Sequence, residues 1–128
     1  MTDDTRMKYL KVALIVFGAI FIVGIYLMMR WVWPSGWGWT PPQHEYEQMI
    51  MGIYATLGVF LILAAKDPMK HLSLIWFTIW SSIVHGGIMA VQAIVDETER
   101  ANFFGDIGAL FLVAIVLWIL MPKKAKTK

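Results

Sequence analysis

A chain of 128 residues that is 59% hydrophobic, with a mean hydropathy of +0.63, carries more apolar surface than a soluble domain of that length can hide. It has no cysteine, which excludes disulfides, thiol redox chemistry and thiolate metal sites and leaves His, Asp, Glu and Met as potential ligands. The net charge of +2 is small, and no Gly-rich phosphate loop, nucleophile elbow or basic patch suited to nucleic acid occurs, so the expected partner is the lipid bilayer and not nucleic acid.

In chain order, residues 1–11 are polar and include Arg6, Lys8 and Lys11, and an uncharged stretch from Val12 to Met29 follows. That stretch is longer than a signal-peptide core and has no small-x-small cleavage site after it, so we read a retained first span at about 9–30. Residues 30–43 form a Trp-rich loop in which Trp31, Trp33, Trp37 and Trp39 alternate with Pro34, Gly36 and Gly38. Trp favours the headgroup region, so this loop reads as an interfacial belt or a partner-docking surface. Pro41 and Pro42 suit the first turn of the next helix, a second span at about 46–65. Asp67 with Pro68 reads as an N-cap and first helical position, making helices two and three a hairpin. The third span runs over about 70–95 and the fourth over about 103–121, followed by a basic tail at 122–128.

The expected fold is therefore all-α, a single-domain four-transmembrane-helix bundle. Nine of the 11 Lys and Arg lie in the N-terminal flank, the 66–71 turn and the tail, while the opposite side holds Arg30 and Arg100. The basic bias puts both termini in the cytoplasm of a multi-pass inner-membrane protein.

Thr78, Ser81, Ser82, His85, Met89, Gln92 and Asp96 recur every three or four residues and share one face of the third span. An ionisable residue near the middle of a span is costly in lipid, so His85 is expected to face protein or water. At a rise of about 1.5 Å per residue, Gln92 lies about 10 Å outward of His85, and Tyr54 about 10 Å inward of Glu47. If these faces converge, Glu47, Tyr54, His85, Gln92, Asp96 and Asp106 line a polar cleft opening to the periplasm, a candidate ligand or proton site. His85 can equally be hydrogen-bonding glue between helices, and Glu47 and Asp106 can simply complement helix dipoles. Ser82, Gly86 and Ala90, four residues apart, form a small-residue seam for close helix packing. His44, Glu45 and Glu47 are a weak metal cluster, because residues one and two apart do not share a helix face.

The segments YATLGVFLILAAKDPMKH and SLIWFTIWSSIVHGGIMAVQAI resemble a family of small four-helix bacterial membrane proteins of unknown function. The likeness spans about Glu45 to Pro122, leaves out the Trp-rich loop, and implies fold and topology without an activity. Three functions compete. The preferred one is a non-catalytic accessory or assembly subunit bound to other membrane subunits or to copies of itself. The second is a proton-, cation- or small-solute-binding or transport protein using the cleft around His85. The third is a haem- or quinone-binding redox protein. The residues mark no catalytic group and name no cofactor.

Overall fold

The computed structural model describes residues 1–32 and 44–122. The loop tryptophans Trp33, Trp37 and Trp39, the Pro41-Pro42 pair and the tail from Lys123 lie outside the described residues. The described residues are all helical, with no strand among them, and hold four segments long and apolar enough to cross a membrane: Asp3–Trp31, His44–Ala64, Pro68–Val95 and Glu97–Leu120.

The first helix, α1 (Asp3–Ala19), starts earlier than hydropathy suggests. Thr2 caps it by accepting a hydrogen bond from the Thr5 N–H, and Asp3 and Asp4 complement the positive end of its dipole. The helix continues through two π-helical turns, Ile20–Gly24 and Met28–Val32, separated by Ile25–Leu27. The 29 residues of Asp3–Trp31 exceed the roughly 20 that a hydrocarbon core requires. Trp31 ends the segment strongly exposed.

Helix α2 (His44–Ala64) is followed by a 3-10 turn (Pro68–His71) and helix α3 (Leu72–Val95). Pro68 does occupy the first position of the turn, but Asp67 makes no side-chain cap. Its carboxylate pairs instead with Lys70 Nζ at 3.1 Å, a cation one turn on that competes successfully for the oxygen. A second 3-10 segment (Glu97–Phe104) leads into α4 (Asp106–Leu120). Asp96 caps it, accepting from the Thr98 N–H at 2.9 Å and the Thr98 hydroxyl at 2.7 Å.

Although the Pro68–His71 turn joins α2 to α3, the closely packed pairs are α1 with α2 and α3 with α4, with α1 also touching α4. Glycine makes the first of these possible. A Cβ on Gly58 would sit 2.5 Å from the Gly18 carbonyl oxygen, and a Cβ on Gly18 would sit 2.6 Å from the Gly58 oxygen. Only two hydrogen side chains let the backbones cross so closely. The core occupies the end of the bundle where α1 begins and α4 ends, and there Leu10, Leu14, Leu61, Ile75, Ile79 and Leu117 are completely or almost completely buried. Arg6 closes this end by donating to the Met121 carbonyl at the end of α4. The outward faces are apolar, with Val23, Ile53, Phe77, Trp80 and Trp118 exposed. Such continuous apolar surface around four helices suits lipid and not water.

Candidate functional site

At the end opposite the core the helix pairs part. Between them lies a cavity of about 1160 Å³ lined by all four helices and the Glu97–Phe104 segment. That volume lies somewhat above the roughly 300–1,000 Å³ usual for small-molecule sites. Most of the wall is apolar: Ile20, Ile25 and Met28 from α1 and its π-helical continuation, Ile50 from α2, Ile88 and Met89 from α3, and Leu110 and Val113 from α4. Both π-helical turns of the first segment border it, and such turns widen a helix locally.

Three rings meet at the cavity wall. Phe21 from the first π-helical turn meets Tyr54 from α2 edge-on, with centroids 5.1 Å apart and planes at 74°. Tyr54 lies beside His85 from α3, and its hydroxyl shares a hydrogen bond of 2.5 Å with His85 Nδ1. With the phenol donating, Nδ1 is the acceptor and Nε2 carries the proton of the neutral ring. Both side chains are half-buried and line the cavity. Below them, Thr78 is fully buried and donates to the Leu74 carbonyl of its own helix, and Ser82 is buried as well. The polar file of α3 thus divides, its lower part buried between helices and its upper part facing the cavity.

The charged groups gather at the far end. Glu47, Asp96, Glu99 and Asp106 all border the cavity, with Gln92 and Asn102 beside them. Asp106, the first residue of α4, is half-buried, and its Oδ1 is enclosed without a hydrogen-bond partner. An enclosed polar atom left unpaired costs about 1–3 kcal/mol, which singles this oxygen out. Asp106 lies within electrostatic reach of Tyr54 and Glu99. Glu99 accepts from Asn102 Nδ2 at 2.6 Å. The Thr98 hydroxyl and backbone N–H hold the Asp96 carboxyl below its ordinary pKa.

Six residues singled out in the sequence, Glu47, Tyr54, His85, Gln92, Asp96 and Asp106, therefore border one cavity, and Tyr54 and His85 are in direct contact. Gln92 and Asp96 are exposed at its rim. Glu99, Asn102 and the entire contribution of the first segment were not among the residues picked from sequence. Glu99 and Asn102 sit in a charged turn with no period to read, and the first segment is apolar all round, so no face of it stood out.

The weak metal cluster is not assembled. His44 Nδ1 meets Glu47 at 3.5 Å, Glu45 is exposed, and no three His, Asp or Glu among the described residues are placed to hold a metal ion. One residue of offset on a helix turns Glu45 about 100° from its neighbour, which separates the donors. Of the seam, Gly86 faces α4, where an added Cβ would lie 3.3 Å from the Phe111 ring and 3.4 Å from Leu110. Ser82 is buried and Ala90 partly exposed. The tightest crossing, however, is the Gly18–Gly58 contact between α1 and α2. Single glycines inside otherwise uniform apolar helices were its signal.

The fold is that of a small all-helical protein with four helices long and apolar enough to cross a membrane, which suggests a multi-pass membrane protein. The chain belongs to a family of unknown function, DUF6632, whose model matches residues 4–128. The match is longer than the resemblance drawn from residues 45–122, taking in the first helix and the Trp-rich loop. No curated protein and no solved structure matches the chain.

Proposed function

We propose that this is a cytoplasmic-membrane protein of bacteria that binds a small amphipathic molecule in a cavity facing the periplasm. Both termini lie in the cytoplasm, as the clustering of nine of 11 basic residues at that end supports. The carrying observation is the cavity itself, bordered by all four helices, apolar along its walls and polar at the Tyr54–His85 pair and the carboxylate rim. A site of mostly apolar lining with a few convergent polar groups suits a ligand with an apolar body and one polar head. Of the three functions that the sequence leaves open, this favours the small-solute reading. The accessory-subunit role draws no support from the outward faces, whose apolar surface lipid covers without a partner. Among the described residues His85 is the one histidine that borders the cavity, which gives the haem reading no support from a second ligand there.

The test is to fill the cavity. Ala109 borders it and is exposed, so Ala109→Trp adds a ring to open space. Native mass spectrometry of protein released from native membranes should show a bound small molecule on the wild type that is lost from the folded variant. Identical bound species on both proteins would rule the reading out.

A further inference from the structure

We propose that the ligand of this cavity is a hydrophobic cation, its positive head held by Asp96, Glu99 and Asp106 and its apolar body lying between the helix pairs. The inference rests on the cavity reading above and adds the charge of the molecule. Among the described residues that border the cavity there are four carboxylates and neither Lys nor Arg. Of the basic residues at that end, Arg100 pairs with Glu97, which is not part of the lining, and Arg30 is exposed and does not border the cavity. Among the described residues no Lys or Arg forms an ion pair with Asp96, Glu99 or Asp106. The partners of the first two are neutral, Thr98 and Asn102, and Oδ1 of Asp106 has none.

Carboxylates collected at the mouth of an apolar, low-dielectric bowl repel an anion and attract a cation, and the bowl focuses that field. A compact inorganic cation needs several oxygens converging on one point, and no group of three is so placed among the described residues. A monovalent organic cation makes no such demand. Its apolar body can leave water for a site whose walls are Ile20, Ile88 and Leu110, while its charged head stays at the carboxylate mouth. The shared chemistry is a cationic head on an apolar body, whether a diffusible amine or an amine-headed lipid supplies it.

The experiment compares tetraphenylphosphonium with tetraphenylborate, ions of nearly the same shape and apolar surface but opposite charge, by titration calorimetry of the full chain in a neutral detergent. The phosphonium should bind at least about tenfold more tightly than the borate, and added salt should weaken it. Glu99→Gln and Asp106→Asn should each weaken phosphonium binding severalfold, and Ala109→Trp should abolish it. The wild-type comparison needs no variant, so a variant that does not fold leaves the test intact. Equal affinity for both ions, lost together in Ala109→Trp, would overturn the cation assignment while leaving the cavity site standing. Binding of neither ion, or binding unchanged in Ala109→Trp, would remove both. Phosphatidylethanolamine added to the micelles separates the sources: competition with the phosphonium identifies an amine-headed lipid, and unchanged affinity a diffusible cation.

Discussion

Gly18 and Gly58 show how much a single hydrogen side chain can decide. Each meets the other's carbonyl oxygen where a Cβ would be, so even one methyl group forces α1 and α2 apart. Gly58→Ala should destabilise the protein by about 1–3 kcal/mol, the usual range for overpacking. Gly52 lies on the same helix with nothing within 4 Å of its Cβ position. Gly52→Ala should be neutral or stabilising by up to about 1 kcal/mol, because alanine is the better helix former. Thermal unfolding in detergent distinguishes the two, and equal melting temperatures would show that the crossing carries no such constraint. The Tyr54–His85 bond is the other residue-scale feature. Tyr54→Phe, His85→Gln and the double variant form a cycle whose coupling should be about 1 kcal/mol, the scale of interhelical hydrogen bonds in membranes. A coupling near zero would mean that the bond adds no stability.

At the scale of elements, the Glu97–Phe104 turn brings Glu99 and Asn102 to the cavity, and Asp96 begins it. The Asp96 carboxylate accepts two hydrogen bonds from Thr98 and has a lowered pKa. A carboxyl whose folded pKa lies below its unfolded one contributes stability above the unfolded value, about pH 4, and loses it as pH falls through the folded value. The cap should therefore hold at neutral pH and release in acid. The protection of the Thr98 amide, its measured exchange compared by NMR with the intrinsic rate at the same pH, should fall in the wild type as pH is lowered below about 4, while Asp96→Ala should be unprotected already at about pH 6. Equal protection in both proteins would show that the cap does not order the turn. Hydropathy and charge give notice of a polar turn here but not of its 3-10 winding or its inward-facing Asn102, since both follow from packing against the ends of α3 and α4.

For the whole molecule, a packed end and an open end follow from unequal spacing of the same four helices. The core fills the end where α1 begins and α4 ends, and the cavity occupies the end with the carboxylates. The proposed orientation sets the cavity toward the periplasm. Reporters active only in the cytoplasm should work when fused at either terminus and fail when inserted after Arg100. A cytoplasmic signal from that turn would invert the molecule and place the cavity on the other side.

What the sequence determines by itself is local. Length and hydropathy define four segments able to span a membrane, because a bilayer of fixed thickness demands a run of fixed length. The 3.6-residue period places His85, Met89, Gln92 and Asp96 on one side of α3, and each borders the cavity. Which helices pair, and where they separate, belongs to the tertiary structure alone. In α1, α2 and α4 the apolar residues run nearly all round, so no stripe states which face meets which neighbour. Rotation and axial register are settled instead by shape: by Gly18 against Gly58, Gly86 against Phe111, and Phe21 against Tyr54. These contacts join residues far apart in the chain, and each lies within one helix pair, α1 and its π-helical continuation with α2, or α3 with α4.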